Sequence, residues 1–87
     1  MRVEKEFILR EIAGEYIIVP TGNTVMEFNG MITVNGVGVF LWKKLQEEVT
    51  FEELLQAVLD EYEVDEETAK KDIQDFLDKL TEKGILA

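Results

Sequence analysis

The first half of the chain has the short apolar runs and turn residues that are typical of a β-meander. Residues 7–12 and 16–19 are rich in β-branched and aromatic side chains, which favour strands. Gly14 lies between these runs and can take the positive φ that a tight hairpin needs. Pro20 ends the second run, because proline has no N–H to donate to a sheet. The pattern therefore predicts two paired strands.

A second turn signal, Asn29-Gly30, separates two further runs with β-like composition. It predicts a third strand at residues 31–34, which are Met-Ile-Thr-Val. Residues 25–28 could form a short partner strand or belong to a loop, and the polar residues 21–24 are typical of a loop. The first half therefore predicts a small antiparallel sheet.

The second half repeats its apolar residues at helical spacing, which predicts three helices. Asn35 is the expected N-cap of the first, whose end is expected near residues 46–49. Gly36 and Gly38 weaken its first turn. The predicted buried faces are Val37, Phe40, Leu41 and Leu45 with Trp42 beside them; Leu54, Leu55, Val58, Leu59 and Tyr62; and Ala69, Ile73, Phe76, Leu77 and Leu80.

The second helix has a complete start signal. Thr50 and Glu53 match the capping box, in which each side chain bonds the other residue's backbone N–H. Val49 and Leu54 stand at the positions of the hydrophobic staple. These four residues predict that the helix begins directly after Thr50.

The third helix is predicted over residues 66–83, with Asp65 as its N-cap. Gly84 can take the left-handed C′ position, which makes Leu80 and Ile85 the apolar pair of a Schellman motif. The resulting fold class is α+β and winged-helix-like: an N-terminal three-stranded antiparallel β-meander followed by three α-helices. With 87 residues, one domain spanning 1–87 is expected.

The composition excludes most kinds of catalytic and metal-binding site. The chain has no Cys, His or Ser, which excludes disulfides, thiolate or imidazole metal ligands and the common nucleophile–base pairs. Residues 60–67 are acidic, but Tyr62 and Val64 fall where a calcium loop needs oxygen ligands. Gly36-Val-Gly38 lacks the third glycine of a dinucleotide-binding turn. We therefore expect no catalytic residue, no metal and no cofactor, and hence not an enzyme.

The net charge of −10 limits the partners, and its whole excess lies in residues 47–87. Such a surface repels phosphate backbones, so the third helix is not expected to read DNA although the element order resembles a winged helix. No apolar run reaches the roughly 20 residues of a membrane helix, and the N-terminus is too charged for a signal peptide. A cytoplasmic protein without nucleic-acid or membrane partners is expected.

The predicted third strand points to a binding role. Residues 31–34 contain neither proline nor charge, so at a sheet edge they would lack the usual protection against pairing with another strand. An extended peptide could add there, with backbone bonds giving affinity and pockets beside the third helix giving specificity. A bare edge could also pair weakly with a second copy of the chain, and a central position in the sheet would leave no such edge.

A set of ordered segments resembles the PqqD-like family, winged-helix domains also called RiPP recognition elements, where RiPP denotes ribosomally synthesised, post-translationally modified peptides. The segments are Leu9-Arg-Glu-Ile-Ala-Gly-Glu-Tyr-Ile-Ile-Val-Pro20, Asn29-Gly-Met-Ile-Thr-Val-Asn35, Val39-Phe-Leu-Trp-Lys-Lys-Leu45, Thr50-Phe-Glu-Glu-Leu54, Tyr62-Glu-Val-Asp65, Asp72-Ile-Gln-Asp-Phe-Leu-Asp-Lys-Leu80 and Lys83-Gly-Ile-Leu86. The resemblance implies a non-catalytic chaperone that binds the leader of a precursor peptide as an added strand. It would present that peptide to a modifying enzyme, often a radical S-adenosylmethionine protein.

Carried over by position, the leader would lie between the third strand and the third helix. The candidate peptide-binding residues are Met31, Ile32, Thr33 and Val34 on the strand, and Ile73, Phe76, Leu77, Lys79 and Leu80 on the helix. Ile73, Leu77 and Leu80 also suit a buried core, whereas Phe76 and Lys79 flank that face. Residues 21–28 are longer than the connection in many members and could shape the groove. The alternative is an assembly subunit that docks on an enzyme without recognising a leader.

Overall fold

Three strands followed by three helices make up the part of the chain that the computed structural model describes, residues 1–4, 7–21 and 32–86. The elements are β1 (Phe7–Ile12), β2 (Glu15–Pro20), β3 (Ile32–Val34), α1 (Gly36–Lys44), α2 (Phe51–Glu61) and α3 (Glu66–Glu82). The predicted order of a three-stranded antiparallel sheet and three helices is confirmed. The predictions for residues 22–31, which include Met31 and the strand or loop at 25–28, lie outside the described residues.

The β1–β2 hairpin is closed by a two-residue turn. Ala13 and Gly14 both have positive φ, 52° and 83°, and they connect the paired residues Ile12 and Glu15. Two consecutive positive φ angles match the type I′ turn, whose twist suits a hairpin. Gly14 takes its conformation freely, whereas the left-handed region costs a residue such as Ala13 about 1–2 kcal/mol. The hairpin and the positive φ of Gly14 were predicted correctly, but the positive φ of Ala13 was not.

The core lies between one face of the sheet and the three helices. Because side chains alternate along a strand, Ile32 and Val34 face this core while Thr33 between them is exposed. The core cluster comprises Val3, Phe7, Ile18, Ile32, Val34, Leu41, Trp42, Leu45, Leu54, Leu55, Val58, Ala69, Ile73, Phe76, Leu77, Leu80 and Ile85. Trp42, predicted beside the apolar face of α1, is only 4% exposed, whereas Val37 and Phe40 are partly buried.

Helix α1 begins as predicted and ends earlier than predicted. The Asn35 side chain accepts a hydrogen bond of 2.8 Å from the Gly38 N–H, which caps the first turn. The last helical residue is Lys44 rather than one near 46–49. The following chain bonds elsewhere, because the Val49 N–H donates to the Met1 carbonyl at 2.9 Å. This contact is distant in sequence, so the local pattern gives no sign of it.

The predicted start of α2 and the predicted Schellman motif after α3 are confirmed, although the last helical residue of α3 is Glu82 rather than Lys83. The Glu53 N–H donates to Thr50 Oγ1 at 3.1 Å and the Thr50 N–H donates to Glu53 Oε1 at 2.9 Å, which completes the capping box of α2. At the end of α3, Gly84 has a φ of 72° and the Ile85 N–H donates to the Leu80 carbonyl at 2.8 Å. A second bond runs from the Gly84 N–H to the Thr81 carbonyl at 3.1 Å, as the Schellman motif requires. No helix of the described ranges has the length and apolarity to cross a membrane.

Replacing Gly38 by alanine should destabilise the protein relative to the same change at Gly36, by about 1–3 kcal/mol in the free energy of unfolding. A Cβ on Gly38 would lie 3.0 Å from Val34 Cβ and 3.3 Å from Phe76 Cε1. A Cβ on Gly36 meets no heavy atom of the described residues within 4 Å, so alanine there gains helix propensity without a clash. Urea unfolding of both variants measures the difference. Equal stabilities would contradict this packing.

Acid should remove a stabilising contribution of Asp65. Hydrogen bonds from the Thr68 hydroxyl and backbone N–H lower the pKa of Asp65 below its ordinary value of 3.8. A pKa lowered by folding gives stability that is present above that ordinary value and lost as pH falls through the folded-state pKa. Asp65→Asn keeps a capping side chain but does not titrate. The stability advantage of the wild type over Asp65→Asn should therefore shrink between about pH 5 and pH 2. Thermal unfolding of both proteins over this pH range measures the change. A gap that is independent of pH would contradict the assignment.

Candidate functional site

The edge of β3 that faces away from β2 is the first component of the site. The strand order is β1-β2-β3, so within the described residues β3 pairs only with β2 and forms an edge of the sheet. A two-residue turn is closed by bonds between its flanking residues, which makes Ile12 and Glu15 a hydrogen-bonded pair. Since such pairs alternate along antiparallel strands, the bonded pairs between β2 and β3 are Ile18–Ile32 and Tyr16–Val34.

Thr33 consequently has its backbone groups on the open side. Its partner in the register, Ile17, directs its own N–H and C=O towards β1, so Thr33 directs its N–H and C=O away from the sheet. The Thr33 side chain is exposed as well. An edge residue of this kind offers one donor and one acceptor to a further extended strand.

A groove runs along this edge between β3 and α3. A cavity of about 420 Å³ opens beside Val34 and the start of α1, and a second of about 260 Å³ opens beside Ile32. Thr33 and Lys79 line both cavities, so we treat them as one β3–α3 groove. The first cavity is lined by Thr33, Val34, Asn35, Val37, Gly38, Leu41, Asp72, Asp75, Phe76 and Lys79, and the second by Ile32, Thr33, Lys79, Glu82 and Lys83.

Gly38 gives the groove its depth at the α1 end. The space that a Cβ would occupy on Gly38 is already in contact with Val34 and Phe76, so β3, α1 and α3 meet at this point. Leu41, one turn further along α1, is fully buried and still lines the cavity. The end of the groove next to α1 is therefore apolar at its base.

The predicted binding residues divide between the groove and the core. Thr33, Val34, Phe76 and Lys79 line the first cavity, and Ile32 lines the second. Ile73, Leu77 and Leu80 line neither cavity and are buried in the core, which their positions on the apolar face of the helix also suited. Met31 lies outside the described residues.

Several residues of the groove were missed in the sequence. They are Asn35, Val37, Gly38 and Leu41 near the start of α1, Asp72, Asp75 and Glu82 on α3, and Lys83 directly after α3. On α3 a signal was available, because Asp72, Asp75, Phe76 and Lys79 follow the helical spacing of i, i+3, i+4 and i+7. This second face of the helix lies beside the buried stripe and carries both carboxylates and ammonium groups.

The groove offers charged and hydrogen-bonding groups beside an apolar base. Its polar groups are carboxylates, lysine ammonium groups, an amide, a hydroxyl and backbone groups. Among residues 1–4, 7–21 and 32–86, no group of three or more His, Cys, Asp or Glu is placed to hold a metal ion. A further cavity of about 470 Å³ lies between the end of α1 and the start of α2, away from the strand edge.

Two solved structures resemble the whole chain. One is TbiB1 in complex with the TbiA(beta) leader peptide, which is 27% identical, with a TM-score of 0.76 over 99% of this chain and 94% of that one. The other is lasso peptide synthetase B1 complexed with the leader peptide, which is 19% identical, with a TM-score of 0.71 over 97% of this chain and 93% of that one. At that identity the second likeness concerns the fold alone. A search of curated protein sequences found no match.

The family assignment rests on the amino-acid sequence. Residues 15–86, which include β2, β3 and all three helices, match the family described as coenzyme PQQ synthesis protein D (PqqD). The match spans most of the 87 residues and agrees with the resemblance of the ordered segments and with the fold. The chain therefore belongs to the PqqD family.

Proposed function

We propose that this protein is a non-catalytic recognition domain for the leader segment of a ribosomally synthesised precursor peptide. The leader adds as a fourth strand along β3, and the bound precursor is presented to a modifying enzyme. The observation that carries the proposal is the backbone of Thr33, which faces away from the sheet and into a groove bounded by α3.

Strand addition fits the chemistry of this groove. Backbone bonds at an open edge hold any extended segment, and pockets beside the edge select among side chains. The apolar base formed by Val37, Gly38 and Leu41 offers such a pocket next to Thr33. Phe76 bounds it from the side of α3, with only 8% of its surface exposed.

The relatives support the same function. TbiB1, whose structure was solved with a leader peptide, is similar along almost the full length of both chains. The family resemblance further implies a radical S-adenosylmethionine enzyme as the partner that modifies the precursor, and the sequence favours a cytoplasmic setting. The enzyme class is tested by copurification with any radical S-adenosylmethionine enzyme encoded near this gene.

A leader peptide should perturb the backbone amide signals of the groove and leave the far side of the molecule unchanged. The expected changes fall on residues 32–35 and on the groove face of α3, because these line the site. The signals of α2 residues such as Gln56 and Asp60, which bond each other on the exposed surface, serve as the internal control. The measurement is an NMR titration of the labelled protein with precursor peptides encoded beside the gene.

Saturable shifts confined to the groove would support leader recognition. No shift with any of those peptides at high concentration would contradict it. Shifts confined to α2 would place the peptide outside the groove and would likewise contradict recognition at β3.

Thr33→Pro should weaken leader binding by about tenfold or more, whereas Thr33→Ala should change it far less. Proline removes the outward N–H and places its ring at the edge, while alanine keeps the backbone donor. Since the Thr33 N–H takes no part in the pairing with β2, the sheet should tolerate both variants. Calorimetric titration with the binding leader measures affinity, and thermal unfolding checks the fold. Equal affinities for two folded variants would contradict strand addition at Thr33.

A further inference from the structure

Resting on the proposed function, we infer that the β3–α3 groove selects leaders by the order of their charges. A cationic side chain of the leader would lie at the α1 end of the groove, beside Asp72 and Asp75. An anionic side chain would lie at the opposite end, beside Lys79 and Lys83. The segment between them would be apolar.

The charge of the wall changes along the groove from one cavity to the other. The cavity at the α1 end contains both aspartates, Asp72 and Asp75, with Val34 and Asn35, and Lys79 lies where the two cavities meet. The cavity at the other end contains Lys79, Glu82 and Lys83 together with Ile32. Helix α3 thus runs opposite to β3, and its wall changes from negative to positive along the groove.

These side chains have no charge partner of their own. Within the described ranges, Asp72, Asp75, Lys79 and Lys83 form no ion pair and no side-chain hydrogen bond. Asp75 and Lys79 stand four residues apart on one helix and still do not pair. Their charges are therefore available to an occupant of the groove.

Two groove residues oppose the pattern. Glu82 lines the same end as Lys79 and Lys83, and Lys79 also lines the α1-end cavity with Asp72 and Asp75, so the lining charges are −1 at the α1 end and +1 at the other end. The acidic charge of the whole chain should make the anchoring of a leader cation stronger than the anchoring of a leader anion.

The spacing suits a short extended segment. Asp72 and Lys83 are 11 positions apart, which is about 16 Å along a helix at 1.5 Å per residue. An extended strand covers that distance in about five residues at 3.3 Å each. A leader segment with a basic residue, an apolar centre and an acidic residue can therefore meet both ends at once.

The direction of the leader follows from pairing. Antiparallel strands pair slightly better than parallel ones, so the added strand should run opposite to β3. Its N-terminal part then lies at the α1 end, beside the two aspartates. The preferred leader segment accordingly has its basic residue before the apolar centre and its acidic residue after it.

The test uses two blocked synthetic peptides of about ten residues with identical composition. Each has a centre in which threonine and valine alternate; one has two lysines before it and two glutamates after it, and the other has the reverse order. The wild type should bind the lysine-first peptide about five- to tenfold more tightly at low salt. The affinities come from the same amide titration as above, which also reports binding at residues 32–35.

Exchange of the wall charges should invert this preference. The variant Asp72→Lys, Asp75→Lys, Lys79→Glu, Lys83→Glu keeps the net charge of −10 and reverses only the order. If this variant fails to fold, Asp75→Lys with Lys79→Glu provides a milder exchange. The matched control, Glu61→Lys with Lys70→Glu, also keeps the net charge, involves residues outside the groove and should leave the preference unchanged.

The outcomes separate this inference from the proposed function. A wild-type preference for the lysine-first peptide that inverts on exchange supports the inference. A preference for the glutamate-first peptide contradicts the antiparallel direction of the leader, and equal binding of the two peptides by the wild type overturns the inference as a whole. If neither peptide shifts the amides of β3 although a leader does, charge order is not what the groove selects and only the proposed function stands. If the leader fails as well, the proposed function is wrong too.

In about 1 M salt, where charges are screened beyond about 3 Å, the preference should fall below about twofold.

Discussion

The close contact between Val34, Gly38 and Phe76 is the constraint on which the rest of this structure depends. It brings together the end of β3, the first turn of α1 and the middle of α3, and a Cβ on Gly38 would lie only 3.0 Å from Val34 Cβ and 3.3 Å from Phe76 Cε1. These three elements meet at one end of the groove, and the remainder of β3 stands beside α3 with space between them. The small size of Gly38 therefore allows the close approach of β3, α1 and α3 that bounds the groove.

Helix α3 serves stability and recognition with two neighbouring faces. Ile73, Leu77 and Leu80 are buried in the core, and the adjacent line of Asp72, Asp75 and Lys79 forms the wall of the groove. Phe76 belongs to both, since it is buried and lines the cavity. Substitutions at Asp72, Asp75 or Lys79 should therefore change binding specificity more than they change stability. This separation allows the specificity of a binding domain to vary while its fold is kept.

Local signals predicted most of the fold, because caps and tight turns depend on residues a few positions apart. Thr50 with Glu53, Asp65, Gly84 and Gly14 all behave as the sequence indicates. The early end of α1 was not predicted. The chain after it pairs with residues distant in sequence, through the bonds from the Val3 N–H to the Leu45 carbonyl and from the Val49 N–H to the Met1 carbonyl, which the local pattern does not reveal. The charged wall was missed for a similar reason. Only the packing of α3 beside β3 decides which face of the helix meets the groove.

Amide hydrogen exchange at Thr33 tests the central claim most directly. The account predicts that this N–H exchanges rapidly in the free protein, because within the described residues it has no partner across the sheet edge. On addition of a saturating leader peptide it should become protected, while Ile32 and Val34, already bonded to β2, should change less. Rapid exchange at Thr33 in the fully bound protein would contradict strand addition at this edge.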